Sequence, residues 1–267
     1  MKELSLQEIK NVEFNILKVF DAFCKENNIK YYLAHGTLLG AVRYKKFIPW
    51  DDDIDVLIPR DDYNRLLSLF EDNERYCLFA FEKNPQYRFP YGKLCDMTTR
   101  KIEPGANNGM ELGLDIDLFP LDEWQNDLSQ AKKEAKRIKK NMGRMVLSKL
   151  DKPNSESFLK RSIKGVMMIF YKMLGSQYFI KKIQQQAYNG STIGSKYLGC
   201  KVWCVYGERG IVPAEAFAET IEIEFEGQMF PAPKDYDTYL TCLFDDYLPE
   251  PPKEKQVTHH CFKAYRL

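Results

Sequence analysis

Gly36-Thr37-Leu38-Leu39-Gly40-Ala41-Val42-Arg43 and, after a three-residue link, Phe47-Ile48-Pro49-Trp50-Asp51-Asp52-Asp53-Ile54-Asp55-Val56-Leu57-Ile58 decide the fold of this 267-residue chain. Four carboxylates in five positions run into an apolar β-type series, Ile54, Val56 and Ile58. Side chains alternate along a strand, so Asp53 and Asp55 share a face with their Cα atoms about 6.5–7 Å apart. A buried strand has no structural use for that much negative charge. Two carboxylates on one rigid face suit Mg²⁺, or Mn²⁺ in its place, which takes oxygen ligands and leaves positions open for phosphate. A solvated acidic turn before an ordinary strand is the plain alternative. The Gly36-Thr37 turn upstream weighs against it, because a glycine lets backbone approach a phosphate and helix N-terminal amides donate to it.

The surrounding pattern is α+β. Ser5-Leu6-Gln7-Glu8 reads as a capping box opening a helix that runs to Asn27-Asn28. Tyr31 to Ala34 reads as a short strand, and Leu38 to Arg43 as a short helix. Tyr63, Leu66, Leu67 and Phe70 mark a second amphipathic helix after Pro59. Cys77 to Phe81, Tyr91 to Cys95, Thr99 to Ile102 and Leu112 to Phe119 read as strands, the last carrying Asp115 and Asp117. Ile221 to Phe225 alternates as a strand before a Glu226-Gly227 hairpin turn, and Tyr236 to Phe244 fits a final helix.

Composition excludes several classes. Hydrophobic residues make up 44% of the chain, as in a globular protein rather than a disordered one. No apolar run is long enough to span a membrane, and Met1-Lys2-Glu3-Leu4 does not begin a signal peptide. Seven cysteines without paired spacing read as reduced thiols of a cytosolic protein. Cys200-x3-Cys204 with His259, His260 and Cys261 is a loose match to a zinc site, favoured about one time in ten. The net charge of +1 hides a segregation: residues 129–183 hold fifteen Lys or Arg against three Asp or Glu. Such a segment is a solvated helical face, a polyanion-holding surface, or a contact with anionic membrane. Between Ile163 and Ile183 its apolar residues exceed the width of one helical face.

The motif Gly36 to Arg43 with Phe47 to Asp55 resembles the signature of the LicD family of phosphocholine and phospho-alditol transferases, relatives of the fukutin-type enzymes. Tyr91-Gly92-Lys93-Leu94-Cys95-Asp96 is similar to that family's lysine strand. Gly113 to Asp122 is similar to its Gly-x3-Asp-x-Phe-Pro-Leu-Asp segment. Phe225-Glu226-Gly227, Ala232 to Leu240, Pro251-Pro252 and His259-His260 resemble its C-terminal block. The resemblance covers most of residues 28–125 and 205–262.

It implies a nucleotidyltransferase-like mixed β-sheet flanked by helices, with a basic helical insertion. The catalytic core would span 1–127, the insertion 128–195, and an α/β part at 196–267 would complete the catalytic domain. It also implies Mg²⁺, a CDP-activated donor such as CDP-choline, and a glycan or lipid-linked glycan acceptor, with no nucleic acid. Asp53, Asp55 and Asp117 match the metal and catalytic carboxylates. Gly36, Thr37, Arg43, Lys93, Trp50 and His35 are the expected substrate-binding residues, with Trp50 offering a ring face to a quaternary ammonium or simply packing. Asp51 and Asp52 would orient ligands, and Asp115 would play a secondary part. His259, His260, Asp115 and Asp117 are the candidates for general base. Where the family has Tyr-Gly-Asp-Tyr this chain has Phe244-Asp245-Asp246-Tyr247, which puts Asp245 at an expected positive φ. The expected location is cytoplasmic, peripheral at the inner face of the membrane. A true nucleotidyltransferase and a non-catalytic membrane-binding protein are the alternative readings.

Overall fold

The computed structural model describes residues 2–102, 110–153, 158–189, 194–258 and 262–267. β1 (Lys2–Glu3) precedes α1 (Leu6–Glu26), which opens with the expected capping box: Glu8 N donates to Ser5 Oγ at 3.3 Å and Ser5 N to Glu8 Oε2 at 2.9 Å. Then come β2 (Tyr32–Leu33), α2 (His35–Tyr44), β3 (Asp55–Pro59), α3 (Arg60–Leu69), β4 (Tyr76–Phe79), β5 (Gly92–Ile102) and β6 (Leu112–Glu123). Three helices follow, α4 (Leu128–Lys149), α5 (Phe158–Leu174) and α6 (Ser176–Asn189). The chain returns through β7 (Tyr197–Gly199), β8 (Val212–Pro213), the hairpin β9 (Thr220–Phe225) and β10 (Gln228–Pro233), α7 (Tyr236–Phe244) and β11 (Lys263–Arg266).

The main sheet runs β1-β11-β5-β6-β3-β2, with β4 added on β5 and β7-β8 on the end of β6. β3 and β6 are parallel and their neighbours antiparallel, which gives the mixed α+β architecture expected for a nucleotidyltransferase-like fold. The parallel pair sets Asp55 directly opposite Asp117, and the antiparallel pair sets Lys93 opposite Asp117. One sheet thus gathers residues that are 62 positions apart in sequence without help from any loop.

Two local readings change. Tyr91–Cys95 and Thr99–Ile102 are one strand, β5, whose register shifts between Asp96 and Lys101. Asp96 Oδ1 accepts from Thr98 N at 3.0 Å and from Thr98 Oγ1 at 2.6 Å, so the irregular residues stay satisfied inside the sheet. The Gly36-Thr37 turn is the first turn of α2, with Leu38 N donating to Ala34 O at 2.9 Å. Gly40 lies against the link that follows: a Cβ there would sit 2.6 Å from Lys46 O and 3.0 Å from Ile48 N. That close approach lets residues 44–48 fold back along α2, and Lys45 closes the helix in left-handed geometry at φ 55°. Asp245 ends α7 at φ 59°, as expected.

The helical segment is not separated from the sheet. Ala131, Ala135, Ile138, Ile180 and Ile183 join the same continuous core as Leu33, Val56, Leu118 and Leu240. Lys201 is fully buried, pairs with Glu134 Oε1 of α4 at 2.8 Å and donates to Glu123 O at 3.2 Å. Arg60 makes a two-pronged ion pair with buried Asp122, Nε to Oδ1 at 2.7 Å and Nη2 to Oδ2 at 2.9 Å, beneath the ring of Tyr188 from α6. Among the described residues, no helix is long and apolar enough to cross a membrane.

Candidate active site

β3 begins at Asp55, and three devices hold that residue. Its amide donates to Thr37 Oγ1 at 2.8 Å, so the buried threonine of α2 fixes the start of the strand. Its Oδ2 lies 3.3 Å from His35 Nδ1. Its Cα faces that of Asp117 across the parallel pair, where strands lie about 4.8 Å apart. His35 is buried, stacked on Tyr206 with ring centroids 5.3 Å apart, and edge-on to Phe119. Burial pulls its imidazole down to about 4, against the pull of Asp117 the other way. His35 is therefore neutral near pH 7, with its Nδ1 beside the Asp55 carboxylate. Its backbone takes φ 45°, and its amide donates to Tyr239 Oη at 3.3 Å.

Gly36, Arg43, Trp50, Asp51, Asp53 and Asp55 line one cleft of about 910 Å³. The opposite wall comes from the C-terminal part: Tyr206, Phe244, Tyr247 and the stretch from Pro249 to Val257. Arg43 Nη2 donates to Pro249 O and Tyr44 Oη to Glu250 Oε1 at 2.7 Å, which tie the two walls together. Arg43 Nε is buried without a hydrogen-bond partner among the described residues. Gly36 serves a closer neighbour than phosphate, since a Cβ there would lie 2.7 Å from Asp51 Oδ2.

Lys93 stands elsewhere than expected. It is buried, does not line the cleft, and its Nζ donates to both Asp115 Oδ2 and Asp117 Oδ1. Burial alone would lower its pKa, but Asp115 and then Asp117 outweigh that and hold it well above the lysine range. Asp115 takes a second lysine, Lys101, at 2.9 Å. Burial pushes its carboxyl up; Lys101 and Lys93 outweigh that and keep it far below the usual range. Asp117 has only a share of Lys93, and burial together with Asp115 raises its carboxyl. The strand pair thus keeps its charge deficit at Asp117, on the side facing Asp55.

Among the described residues, no three carboxylate, thiol or imidazole groups already converge to hold a metal ion. The donor chemistry nonetheless fits a hard divalent cation: Asp53, Asp55 and Asp117 offer oxygen only, and Asp117 shares its ammonium partner, Lys93, with Asp115. The zinc reading has no such support. Cys204 Sγ donates to Ala135 O and Gly207 O, and burial pushes its thiol up to about 11, while His259, His260 and Cys261 lie outside the described residues.

α1 supplies two site residues that periodicity hides. Lys10 is buried and its Nζ donates to Ile48 O and Pro49 O, both at 3.0 Å, pinning the loop that leads to the aspartates. Glu13 is 1% exposed, and neither carboxylate oxygen has a hydrogen-bond partner among the described residues. Burial drives its pKa well above the usual 4.5; Lys101 opposes this and Asp53, Asp115 and Asp52 add to it. A raised carboxyl stabilises the fold fully below its ordinary value and loses that contribution as pH rises through the raised one. In chelator, the wild-type melting temperature is therefore expected to fall between pH 5 and pH 8 more steeply than that of Glu13→Gln. Parallel melting curves across that window would show Glu13 to be ordinary.

The model of the LicD/FKTN/FKRP nucleotidyltransferase domain matches residues 28–142, the span from just before β2 into α4. The lipopolysaccharide cholinephosphotransferase LicD of Haemophilus influenzae is 34% identical over 282 aligned positions, covering 100% of both chains. The chain belongs to the LicD/FKTN/FKRP family. It is a LicD-type phosphotransferase. An uncharacterized protein of Rickettsia prowazekii is 39% identical over 62 residues, 23% of each chain. One of Rickettsia typhi is 45% identical over 49 residues, 18% of this chain and 16% of its own. The LicD-type segment contains all nine expected site residues, and the walls of the cleft beyond Tyr206 lie outside it.

Proposed function

We propose that this LicD-type enzyme transfers phosphocholine from CDP-choline to a hydroxyl of a cell-surface glycan or its lipid-linked precursor. In this reading it works at the cytoplasmic face of a membrane. Residues 1–127 and 196–267 form its catalytic part, with 128–195 attached as a helical unit. The observation that carries the proposal is that Asp53, Asp55, Arg43 and Trp50 line one cleft. Its volume of about 910 Å³ is at the upper end for small-molecule sites and suits a donor of nucleoside diphosphate size.

Asp53, Asp55 and Asp117 would hold a Mg²⁺ ion, which supplies charge stabilisation on the diphosphate oxygens when bound. Arg43 lines the same cleft and brings a guanidinium, whose charge and planar donor fork suit a phosphate oxygen. Trp50, half-buried at the cleft, offers its ring face to the quaternary ammonium. His35, with Nδ1 3.3 Å from Asp55 Oδ2, limits how that carboxylate can turn. Asp115 is a poor proton acceptor, being held ionised by two lysines behind the cleft. Asp53, which lines the cleft, is better placed to take the acceptor hydroxyl's proton as CMP leaves. The relative named as a lipopolysaccharide cholinephosphotransferase supports both the choline and the lipid-linked glycan.

A ligand that binds only the native state raises apparent stability. CDP-choline is expected to raise the melting temperature in the presence of Mg²⁺ by more than CDP-ribitol, CDP-glycerol or CMP. A larger shift with CDP-ribitol or CDP-glycerol would replace phosphocholine by that alditol phosphate. No shift with any of them would remove the CDP donor.

A further inference from the structure

α5 is an amphipathic helix turned the wrong way round for a core helix. Met168 packs inward and Tyr171 is half-buried against Phe179, with ring centroids 5.5 Å apart. The residues at helical spacing on the other face are large, apolar and exposed: Ile163 (54%), Val166 (69%), Ile169 (65%), Phe170 (58%) and Met173 (81%). At about 100° per residue these positions form one continuous stripe, with Lys172 beside it and Lys164 on the inward side with Met168 and Tyr171. Gly175, at φ 76°, ends the helix and turns the chain directly into α6. The supporting helices are basic as well: Lys133, Arg137, Arg144 and Lys182 line a shared groove of about 780 Å³ between α4 and α6.

We propose that α5 docks on an anionic phospholipid surface, with Val166, Ile169, Phe170 and Met173 entering the headgroup–acyl boundary and the surrounding lysines meeting lipid phosphates. Charge chooses this occupant. Residues 129–183 hold fifteen basic against three acidic side chains, so a second copy of the chain would bring two strongly positive surfaces together, whereas an anionic bilayer complements them. A lysine beside an apolar stripe, as Lys172 is, keeps its ammonium group at the interface while its stem lies along it. α5 has the length and charge of a helix that lies in the interface plane, and it is not one that crosses the membrane. The inference deepens the reading of an enzyme that meets lipid-linked acceptors, and rests on that reading for its purpose; the docking itself needs neither donor nor acceptor.

The test is co-sedimentation of the full chain with phosphatidylcholine vesicles, with and without phosphatidylglycerol. Binding is expected only with phosphatidylglycerol present, and it should weaken as salt rises. Ile169→Glu/Met173→Glu, at two exposed positions, should keep the melting temperature and lower the apparent affinity at least about tenfold. Neither residue lines the active-site cleft, so donor turnover in vesicle-free solution should be unchanged. Absence of vesicle binding, or equal binding by the double variant, would overturn the proposal. A concentration-dependent dimer that the double variant abolishes, without vesicle binding, would assign the stripe to a second copy instead. Vesicle binding by a chain that turns over no CDP donor would leave the docking standing and sink the phosphocholine reading alone.

Discussion

Asp55→Asn is expected to lower turnover of the CDP donor on the order of 10³-fold, about 4 kcal/mol of transition-state stabilisation, while the protein remains folded. The substitution preserves volume and keeps the backbone amide bonded to Thr37 Oγ1, so β3 starts where it did. It removes the negative charge that His35 orients and that faces Asp117 across the parallel pair. The loss should appear in kcat rather than in folding, and far-UV circular dichroism and melting temperature should match wild type. Asp61→Asn, at an exposed position in the first turn of α3, is the matched control and should retain full activity. Turnover within a few-fold of wild type in purified Asp55→Asn would remove this carboxylate from the chemistry.

Lys93→Met is expected to cost stability first and activity as a consequence. Lys93 is buried between Asp115 and Asp117, and its removal leaves Asp117 without an ion-pair partner among the described residues while Asp115 keeps Lys101. Stranding one member of a buried ion pair costs roughly 3–5 kcal/mol, which for a chain of this size is on the order of 10 °C in melting temperature. Mg²⁺ should recover more stability in Lys93→Met than in wild type, because a cation at Asp117 answers the same charge deficit. A lysine that merely touched donor phosphate would behave differently, raising KM and leaving the melting temperature alone. Equal melting temperatures for variant and wild type would therefore return Lys93 to the substrate.

The difference between those two roles marks where sequence stops being readable. Asp53, Asp55, Trp50 and Arg43 were legible because one contiguous motif carries them and one cleft receives them. Asp117 was legible because the alternation of β6 gives its side a fixed facing. Lys93 was expected at donor phosphate and stands between two carboxylates, since a lysine on a strand looks the same whether it points at phosphate or at two carboxylates on the next strand. Lys101 was missed for a related reason: a shift in register between Asp96 and Lys101 moves it onto Asp115, and no periodicity survives such a shift. Lys10 and Glu13 sit on α1 among Ile9, Val12 and Ile16, where an amphipathic pattern assigns charge to solvent. Only the packing of α1 beneath the loop at Ile48-Pro49 buries them. The excess of apolar residues between Ile163 and Ile183 was visible in sequence; the outward direction of the stripe was not.

If the cleft of Asp53, Asp55, Arg43 and Trp50 moves the phospho-substituent of a CDP donor, the two halves of that donor must part in a defined way. CDP-choline is incubated with the enzyme, Mg²⁺ and a lipid-linked glycan acceptor, and the products are resolved by mass spectrometry. CMP is expected to be released one-for-one with an acceptor that has gained phosphocholine, and chelator is expected to abolish both. An acceptor carrying CMP, with phosphocholine released instead, would contradict this reading and make the enzyme a nucleotidyltransferase.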